Sequence, residues 1–197
     1  MIIWSFYTIN TPYEAEAERL EKSLRTLAEH GEMPYRWVIQ PVANLGEWQL
    51  NVKQRPALIR AAMERENDSV LAVDCDATFE REIDLDFDSL DCDIAAHVMD
   101  KAFWRQDTNK RTHSLMGGTL YFPNTERARQ LLSLWHKKCQ ISRQWDQRVL
   151  EQVVQKFRLY RLPATYCAID KTMWGIDDAI IRHHQASRTL RRIINAR

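Results

Sequence analysis

The chain has 197 residues, of which 45% are hydrophobic and 28% are charged, and its formal net charge is +1. That length allows one domain with a sizeable hydrophobic core, and the composition is ordinary for a soluble globular protein. A charge so close to zero argues against nucleic acid or an anionic membrane as the partner of the whole chain. The charge is nonetheless uneven. Residues 74–93 hold nine Asp or Glu, while the C-terminal "ASRTLRRIINAR" holds four Arg and no acid.

The cysteines and the apolar runs indicate where the protein works. Cys75, Cys92, Cys139 and Cys167 show no CxxC spacing, which favours reduced thiols over a disulfide framework or a zinc site. The opening "MIIWSFYTIN" has no basic region and only a short apolar run, so it does not predict a signal peptide. No apolar stretch approaches the length of a membrane span. We therefore expect a cytoplasmic protein without a transmembrane segment, for which peripheral contact with a membrane stays open.

The first half of the chain alternates between strand and helix patterns. Residues 2–9, 35–42 and 69–74 are short and nearly continuous in apolar character, as strands covered on both faces are. Residues 14–31 place leucines on one helical stripe, and residues 53–66 carry a proline near their start, so both predict helices. The order βαβαβ predicts parallel strands joined by right-handed crossovers.

The second half predicts further elements of both kinds and shows neither a repeat nor a linker. These elements are strands over 92–99, 115–122 and "YRLPATY", helices over 125–140 and 145–157, and an extended segment over 179–185. We expect a single α/β domain over residues 1–197, Rossmann-like, with a mixed, mainly parallel central sheet flanked by helices.

Two aspartates follow the third predicted strand, in "VLAVDCDATF" at 70–79. Ligands of open α/β sheets bind beyond the carboxyl ends of the strands, where Asp74 and Asp76 lie. Residues i and i+2 of an extended chain share a face, so both carboxylates can point into one crevice. Two like charges there repel unless a cation or a proton offsets them, and hard carboxylate oxygens prefer Mg²⁺, Mn²⁺ or Ca²⁺. The pattern therefore predicts a divalent metal site.

One family that this motif resembles is the haloacid-dehalogenase-like phosphatases, in which a strand ends in DxDx(T/V). Here Asp74 would be the nucleophile, Asp76 the general acid and Thr78 the final residue of the motif, with "GIDDAI" as a late acidic motif. Two features argue against it: the motif follows two full βα units, and the flap glycine expected after it is missing.

The chain resembles the GT-A-type glycosyltransferases, and in part their retaining, family 8-like members, at several places in the right order. In that superfamily a DxD pair follows an N-terminal nucleotide-binding half and holds Mn²⁺ or Mg²⁺ on the donor diphosphate. The resembling segments are "FYTINTPY", "KQRPALIRAAMERENDSVLAVDCDATF", "DIAAHV", "SLMGGTLYFPNTERARQLLSLW", "WDQRVLEQVV" and "IIRHHQASR".

The resemblance implies roles for individual residues of the donor half. Asp76 would bind the metal, Asp74 would bind the metal or the ribose, and His183 would complete the metal shell, with His184 as the alternative. A neutral imidazole is the ligand form, so protonation below about pH 6.5 should compete with metal. The residues expected to bind the donor are Thr8, Asn10, Tyr13, Arg55 and Arg188. Two alternatives stay open: Asn, Thr and Pro form turns without any ligand, and Arg55 could be an ordinary charge on a helix surface.

For the second half of the chain, the resemblance implies that Asp146 and Gln147 are the catalytic residues and lie at the donor sugar, although an Asp at a helix start is often a cap. Gly117 and Gly118 would let the acceptor approach the backbone, although a bulge would use glycines equally well. The chain has seven tryptophans, most of which we expect in the core. Trp104, Trp145 and Trp174 lie near predicted loops and could pack on sugar rings.

These observations predict a glycosyltransferase that uses Mn²⁺ or Mg²⁺ to move a hexose from a UDP- or GDP-sugar to a saccharide or other hydroxyl acceptor, with retention of configuration. Residues 1–99 would bind the nucleotide sugar, and residues 100–197 would supply the acceptor side and the last metal ligand. A non-catalytic nucleotide-sugar-binding module is the other interpretation of the same resemblance. Nucleic acid is not expected as a partner, and the oligomeric state stays open.

Overall fold

The computed structural model describes residues 1–105 and 113–195, so the predicted domain over 1–197 is seen without 106–112 and 196–197. The first half contains β1 (Ile2–Thr8), α1 (Tyr13–Glu29), β2 (Arg36–Val42), α2 (Trp48–Val52), α3 (Arg55–Glu66), β3 (Val70–Val73) and β4 (Ala77–Phe79). The second half contains β5 (Ile94–Asp100), α4 (Lys101–Arg105), β6 (His113–Phe122), α5 (Glu126–Ile141), α6 (Asp146–Val153), β7 (Leu159–Arg161), β8 (Ala168–Ile169), β9 (Ile181–His183) and α7 (Ser187–Asn195).

Six strands form the central sheet, in the order β2-β1-β3-β6-β5-β7. β1 is parallel to β2 and β3, and β5 is parallel to β7, whereas β6 runs antiparallel to both of its neighbours. The predicted mixed, mainly parallel sheet is confirmed. Since β6 runs the other way, its middle lies beside the carboxyl end of β3.

A second, three-stranded sheet in the order β4-β9-β8 joins the C-terminal segment to this end of the central sheet. β4 follows the aspartate pair directly, and it pairs antiparallel with β9, with Ala77 opposite His183. The chain thus returns to the end of β3 more than a hundred residues later, as a shared site for both segments requires.

Helices cover both faces of the central sheet, and alternate residues of β1 show the division. Ile2 and Trp4 face a core that α3, α5 and α6 complete, while Ile3 faces a core shared with α1 and the small sheet. The helix residues in these cores include Ile59, Met63, Leu131 and Trp135 on the first face, and Leu20, Leu24 and Leu27 on the second.

Several short elements differ from the sequence-based prediction. The predicted strand "YRLPATY" ends at Arg161, because Pro163 has no N–H for a sheet ladder, and a 3₁₀ turn over Ala164–Cys167 replaces its end. The helix predicted over 145–157 is shorter in the structure: α6 ends at Val153, and a 3₁₀ turn over Val154–Lys156 follows it. The arginine-rich C-terminal segment, which is not among the predicted elements, forms helix α7.

All four cysteines are free and buried, as expected for reduced thiols. Within residues 1–105 and 113–195, none of the helices combines the length and the apolar character needed to cross a bilayer.

Candidate metal centre and adjoining pocket

The two aspartates lie in a tight turn between β3 and β4. The N–H of Asp74 donates to the carbonyl of Gly118 on β6 over 2.8 Å, and the N–H of Ala77 donates back to the carbonyl of Asp74 over 3.0 Å. These bonds end β3 at the sheet edge and fix the direction of both side chains. Asp76 is further held because its Oδ2 accepts the N–H of Ala186 over 2.7 Å.

His183 completes a cluster with both aspartates. One ligand atom from each of Asp74, Asp76 and His183 lies within 4.8 Å of the others. The Nε2 atom of His183 is 2.9 Å from the hydroxyl of Thr119, whereas its Nδ1 atom is buried and finds no hydrogen-bond partner among the described residues. That Nδ1 atom lies 3.9 Å from Oδ1 of Asp76. A buried nitrogen aimed at two carboxylates, with its other nitrogen fixed by a hydroxyl, fits a divalent cation of the Mn²⁺ type.

The neighbouring His184 points the other way. Its Nε2 atom is 2.9 Å from the hydroxyl of Thr78, and its Nδ1 atom is 2.6 Å from Oδ2 of Asp170. Strand alternation separates the two imidazoles. The structure therefore brings His183, and not His184, beside the aspartates.

The charges of this cluster are strongly coupled. Burial raises the pKa of Asp74 to about 6, with Arg55 opposing the shift and Asp76 adding to it. Burial lowers the pKa of the His183 imidazole, but Cys167, Asp76 and Asp74 outweigh burial and raise it to about 10. Burial would raise the pKa of Asp76, yet the neighbouring charge of the His183 imidazolium lowers it. Without a cation, the cluster therefore holds a proton on His183 at neutral pH.

Arg55 links the aspartate turn to the start of α6. Its Nη2 lies 3.0 Å from Oδ1 of Asp74, its Nε lies 3.1 Å from Oδ2 of Asp146, and its Nη1 donates to the carbonyl of Gly117 over 2.5 Å. The side chain is only 10% exposed and that of Asp146 only 2%. Burial lowers the pKa of Arg55, but Asp146 and Asp74 outweigh burial and raise it. All three nitrogens of the guanidinium face protein groups, so Arg55 holds three segments together.

Asp146 and Gln147 begin α6, as the sequence predicts. Burial raises the pKa of Asp146, and Arg55 opposes that shift. Gln147 is partly exposed, and its Oε1 borders Gly117, where an added Cβ atom would lie 3.2 Å away. The space beside Gly117 and Gly118 is thus filled by Gln147 and His183, which explains why side chains are absent there. Their predicted role in acceptor binding stays a prediction.

A pocket opens beside the aspartates and reaches the end of β1. Its lining comprises Phe6, Tyr7, Thr8, Tyr13, Trp48, Asn51, Val52, Arg55, Asp74, Cys75, Asp76 and Ser187. Four of these residues carry aromatic rings, which suits a flat heterocycle. The sequence indicated Thr8 and Tyr13 but missed Trp48 and Asn51, because α2 has only five residues and shows no helical period.

Two predicted donor residues lie outside this lining. Asn10 is exposed, has φ 59° and donates its N–H to Glu14, as a turn residue does. Arg188 is exposed on α7 and lines a neighbouring groove that shares Trp48 and Ser187 with the pocket.

Three aromatic side chains from the segments that follow β5 and β8 pack against one another. The Phe103 and Trp174 rings stack with centroids 5.1 Å apart, and Trp104 meets Trp174 edge-on at 5.6 Å. Phe103 is 53% exposed and Trp174 is 60% exposed. Trp145 lies elsewhere, before α6, with the Arg148 guanidinium 5.3 Å from its ring centroid.

Comparisons with known proteins identify a family and a fold. A family described as nucleotide-diphospho-sugar transferase has a model that matches residues 45–182. None of the curated proteins matches the chain significantly. A glycosyltransferase involved in the glycosylation of the major capsid of PBCV-1 is similar in structure, with a TM-score of 0.71 and 13% identity over 100% of this chain and 98% of that one. Mouse xyloside xylosyltransferase 1 in its apo form is also similar, with a TM-score of 0.56 and 15% identity over 94% of this chain and 98% of that one. At these identities the likeness shows the fold.

Proposed function

The chain belongs to the nucleotide-diphospho-sugar transferase family and is a glycosyltransferase, and from this premise we propose that it moves a hexose from a UDP- or GDP-sugar to a saccharide or other hydroxyl acceptor. The observation that carries the proposal is the cluster of Asp74, Asp76 and His183 beside an aromatic-lined pocket to which both aspartates contribute. Family membership favours this transfer over the phosphatase chemistry that the DxDxT pattern also resembles.

In the proposed complex the nucleoside occupies the pocket that Tyr13 and Trp48 line, with the base against one of their rings. Asp74, Asp76 and His183 would hold Mn²⁺ or Mg²⁺ where the pocket meets the end of β3. When bound, that cation offsets the negative charge that grows on the diphosphate leaving group. Arg188, which lines the adjoining groove, would pair with a phosphate oxygen.

The donor sugar would then lie near the start of α6. Gln147 is the partly exposed member of the Asp146–Gln147 pair, so its side chain is the one that contacts the sugar. Asp146 is buried against Arg55 and positions this region through that ion pair. We propose that transfer retains the anomeric configuration, as in the family 8-like enzymes that this helix start resembles.

A cytoplasmic location is part of the same proposal. The four buried free thiols support a reducing compartment, in which such cysteines persist without pairing.

The proposal is tested by thermal shift with UDP, GDP and their hexose conjugates, each with and without Mn²⁺. A ligand that binds only the folded state raises the melting temperature with its concentration, so we expect stabilisation by one nucleotide series that requires the cation. Asp76→Asn should remove that stabilisation, and circular dichroism should show that the metal-free variant keeps its fold.

Each alternative function predicts a different result. A phosphatase would hydrolyse p-nitrophenyl phosphate and lose that activity on Asp74→Asn. A non-catalytic binding module would bind the sugar nucleotide with Mn²⁺, yet neither hydrolyse it nor transfer its sugar to any glycoside.

A further inference from the structure

Large hydrophobic side chains are exposed to solvent around the short helix α2. Of the seven that residues 1–105 and 113–195 expose, three lie on this helix or beside it, Leu45 at 49%, Leu50 at 42% and Ile141 at 78%, and a fourth, Ile193 at 44%, lies on the neighbouring helix α7. Single exposed hydrophobic residues are normal, but a cluster rimmed by polar groups marks an interaction site.

Hydrogen bonds from α2, and from Lys53 directly after it, connect this helix to the end of α5. On one side, Gln49 donates to the carbonyl of Arg143 over 2.5 Å and Lys53 donates to that of Ser142 over 2.6 Å, next to Ile141. Leu45 and Leu50 line a shallow hollow together with Lys53 and the end of α5. The segment around α2 therefore packs directly against the end of α5.

On its other side α2 contacts helix α7. The N–H of Trp48 donates to Oδ1 of Asn195 over 3.0 Å, and the Arg191 guanidinium lies 4.9 Å from the centre of the Trp48 ring. Ile193 is on the same helix, two residues from both Arg191 and Asn195, and therefore points to another side of it. We name the surface made by residues 43–54, 136–145 and 184–195 the α2 face.

The α2 face is strongly basic although the whole chain is almost neutral. Its only accessible acid is Glu47, because these three segments contain no other Asp or Glu. Its basic residues are Lys53, Lys137, Lys138, Arg143, Arg188, Arg191 and Arg192. Lys137 and Lys138 precede Ile141 by four and three positions on α5, so they lie on the same stripe of that helix.

We propose that the α2 face docks on an anionic lipid surface. Basic side chains mixed with exposed Leu and Ile match the two layers of such a surface, its negative headgroups and the apolar boundary beneath them. A soluble polyanion would engage the arginines and leave the four hydrophobic side chains in water. Trp48 and Ser187 line both the pocket and the arginine groove, so docking brings the mouth of the pocket to the lipid surface. The inference needs no nucleotide and stands apart from the proposed transfer reaction.

The test is vesicle flotation of the full chain with phosphatidylcholine alone and with about 30% phosphatidylglycerol added. We expect binding only to the anionic vesicles. Each basic residue near such a surface strengthens binding about fivefold, so Lys137→Glu combined with Arg192→Glu should weaken it at least twentyfold, on the order of two lost contacts. Leu50→Ser combined with Ile141→Ser should weaken it as well, and should make the remaining binding sensitive to salt.

Matched controls separate this surface from general effects of charge or apolar exposure. Lys22→Glu reverses an exposed charge on α1, and Phe103→Ser removes an exposed ring far from α2, and both should float like the wild type. Absence of wild-type flotation, or equal loss in the controls, overturns the proposal. The wild type is also applied to a heparin column. If heparin retains it, and Leu50→Ser with Ile141→Ser changes neither this retention nor the flotation, the face is a site for polyanions and the lipid assignment is overturned. The Lys137→Glu, Arg192→Glu variant should bind the nucleotide sugar in solution as the wild type does. Failure of the transferase proposal can therefore be distinguished from failure of the docking proposal.

Discussion

The imidazole of His183 occupies the space that a side chain at Gly118 would need. A Cβ atom at Gly118 would lie 2.7 Å from Cε1 and 2.9 Å from Nδ1 of His183, closer than side-chain carbons approach other atoms. The neighbouring Gly117 leaves more room, since a Cβ atom there would lie 3.2 Å from the end of the Gln147 side chain. The absence of a side chain on β6 is therefore a condition for the position of the imidazole beside Asp76.

The first prediction follows from this contact. Gly118→Ala should push the His183 ring away from the aspartates and weaken Mn²⁺ binding by about tenfold or more, as the loss of support around a metal ligand does. Gly117→Ala should change Mn²⁺ affinity much less, because the flexible Gln147 side chain can move. Isothermal titration with Mn²⁺ compares the two variants, and circular dichroism checks their folding. Equal affinities for Mn²⁺ in both variants would contradict a fixed imidazole at the metal centre.

The sequence indicated much of this site because its chemistry lies in local patterns. Asp74 and Asp76 follow an apolar strand directly, and the segment with His183 was placed by chain order. The choice between His183 and His184 needed the register of β9, which pairs His183 with Ala77 and sets its face. The local sequence pattern does not determine this register, because the register depends on which strand β9 pairs with.

The role of Arg55 could not be read from its neighbours in the sequence. Its three partners come from the turn after β3, from β6 and from the start of α6, so only the folded chain brings them together. The sequence alone shows a charged residue near the start of a helix, which is as typical of a solvent-exposed charge as of a residue that binds the nucleotide. The same limit applies to Trp48, whose helix is too short to show a period.

The second prediction concerns this buried ion pair. Arg55→Met should lower the free energy of unfolding by about 3–5 kcal/mol, because it leaves the Asp146 carboxylate buried without a partner. Adding Asp146→Asn should recover part of that loss, since the unpaired charge is removed. Urea denaturation at pH 7 measures both variants, with Arg55→Lys as the charge-preserving control. A loss below about 1 kcal/mol, or no recovery in the double variant, would show that the pair contributes little to stability.

The third prediction is that metal binding releases a proton. The pKa of His183 in the metal-free protein is about 10, so its imidazole is protonated at neutral pH, whereas a metal ligand must be unprotonated. We expect Mn²⁺ affinity to keep rising between pH 6.5 and 8.5, by up to about tenfold per pH unit, instead of levelling off above the ordinary His value near 6.5. Calorimetry in two buffers with different ionisation enthalpies should detect about one proton released per Mn²⁺. His184→Ala should leave this release unchanged, and His183→Ala should abolish it.

The same shift predicts the pH dependence of the metal-free protein. A pKa raised on folding gives stability that is fully present below the unfolded value near 6.5 and is lost as the pH rises through about 10. The melting temperature of the metal-free chain should therefore fall between pH 7 and 10, and His183→Ala should flatten that fall. A melting temperature that rises over this interval would contradict an imidazolium paired with Asp76.

The last prediction concerns Trp174, whose exposed ring stacks on that of Phe103 and does not line the pocket beside the aspartates. If this ring packs on the acceptor saccharide, Trp174→Ala should raise the KM for the acceptor about three- to tenfold, which corresponds to a ring contact of roughly 0.5–1.5 kcal/mol. The affinity for the nucleotide sugar and its slow hydrolysis without acceptor should stay unchanged, because Trp174 does not line the donor pocket. Trp174→Phe keeps an aromatic face beside Phe103 and should recover most of the acceptor affinity. The measurement is transfer at varied acceptor concentration, with the acceptor first selected from a set of methyl glycosides. A change in donor affinity with an unchanged acceptor KM would place the ring outside the acceptor path, and the exposed pair of Phe103 and Trp174 would then need another partner.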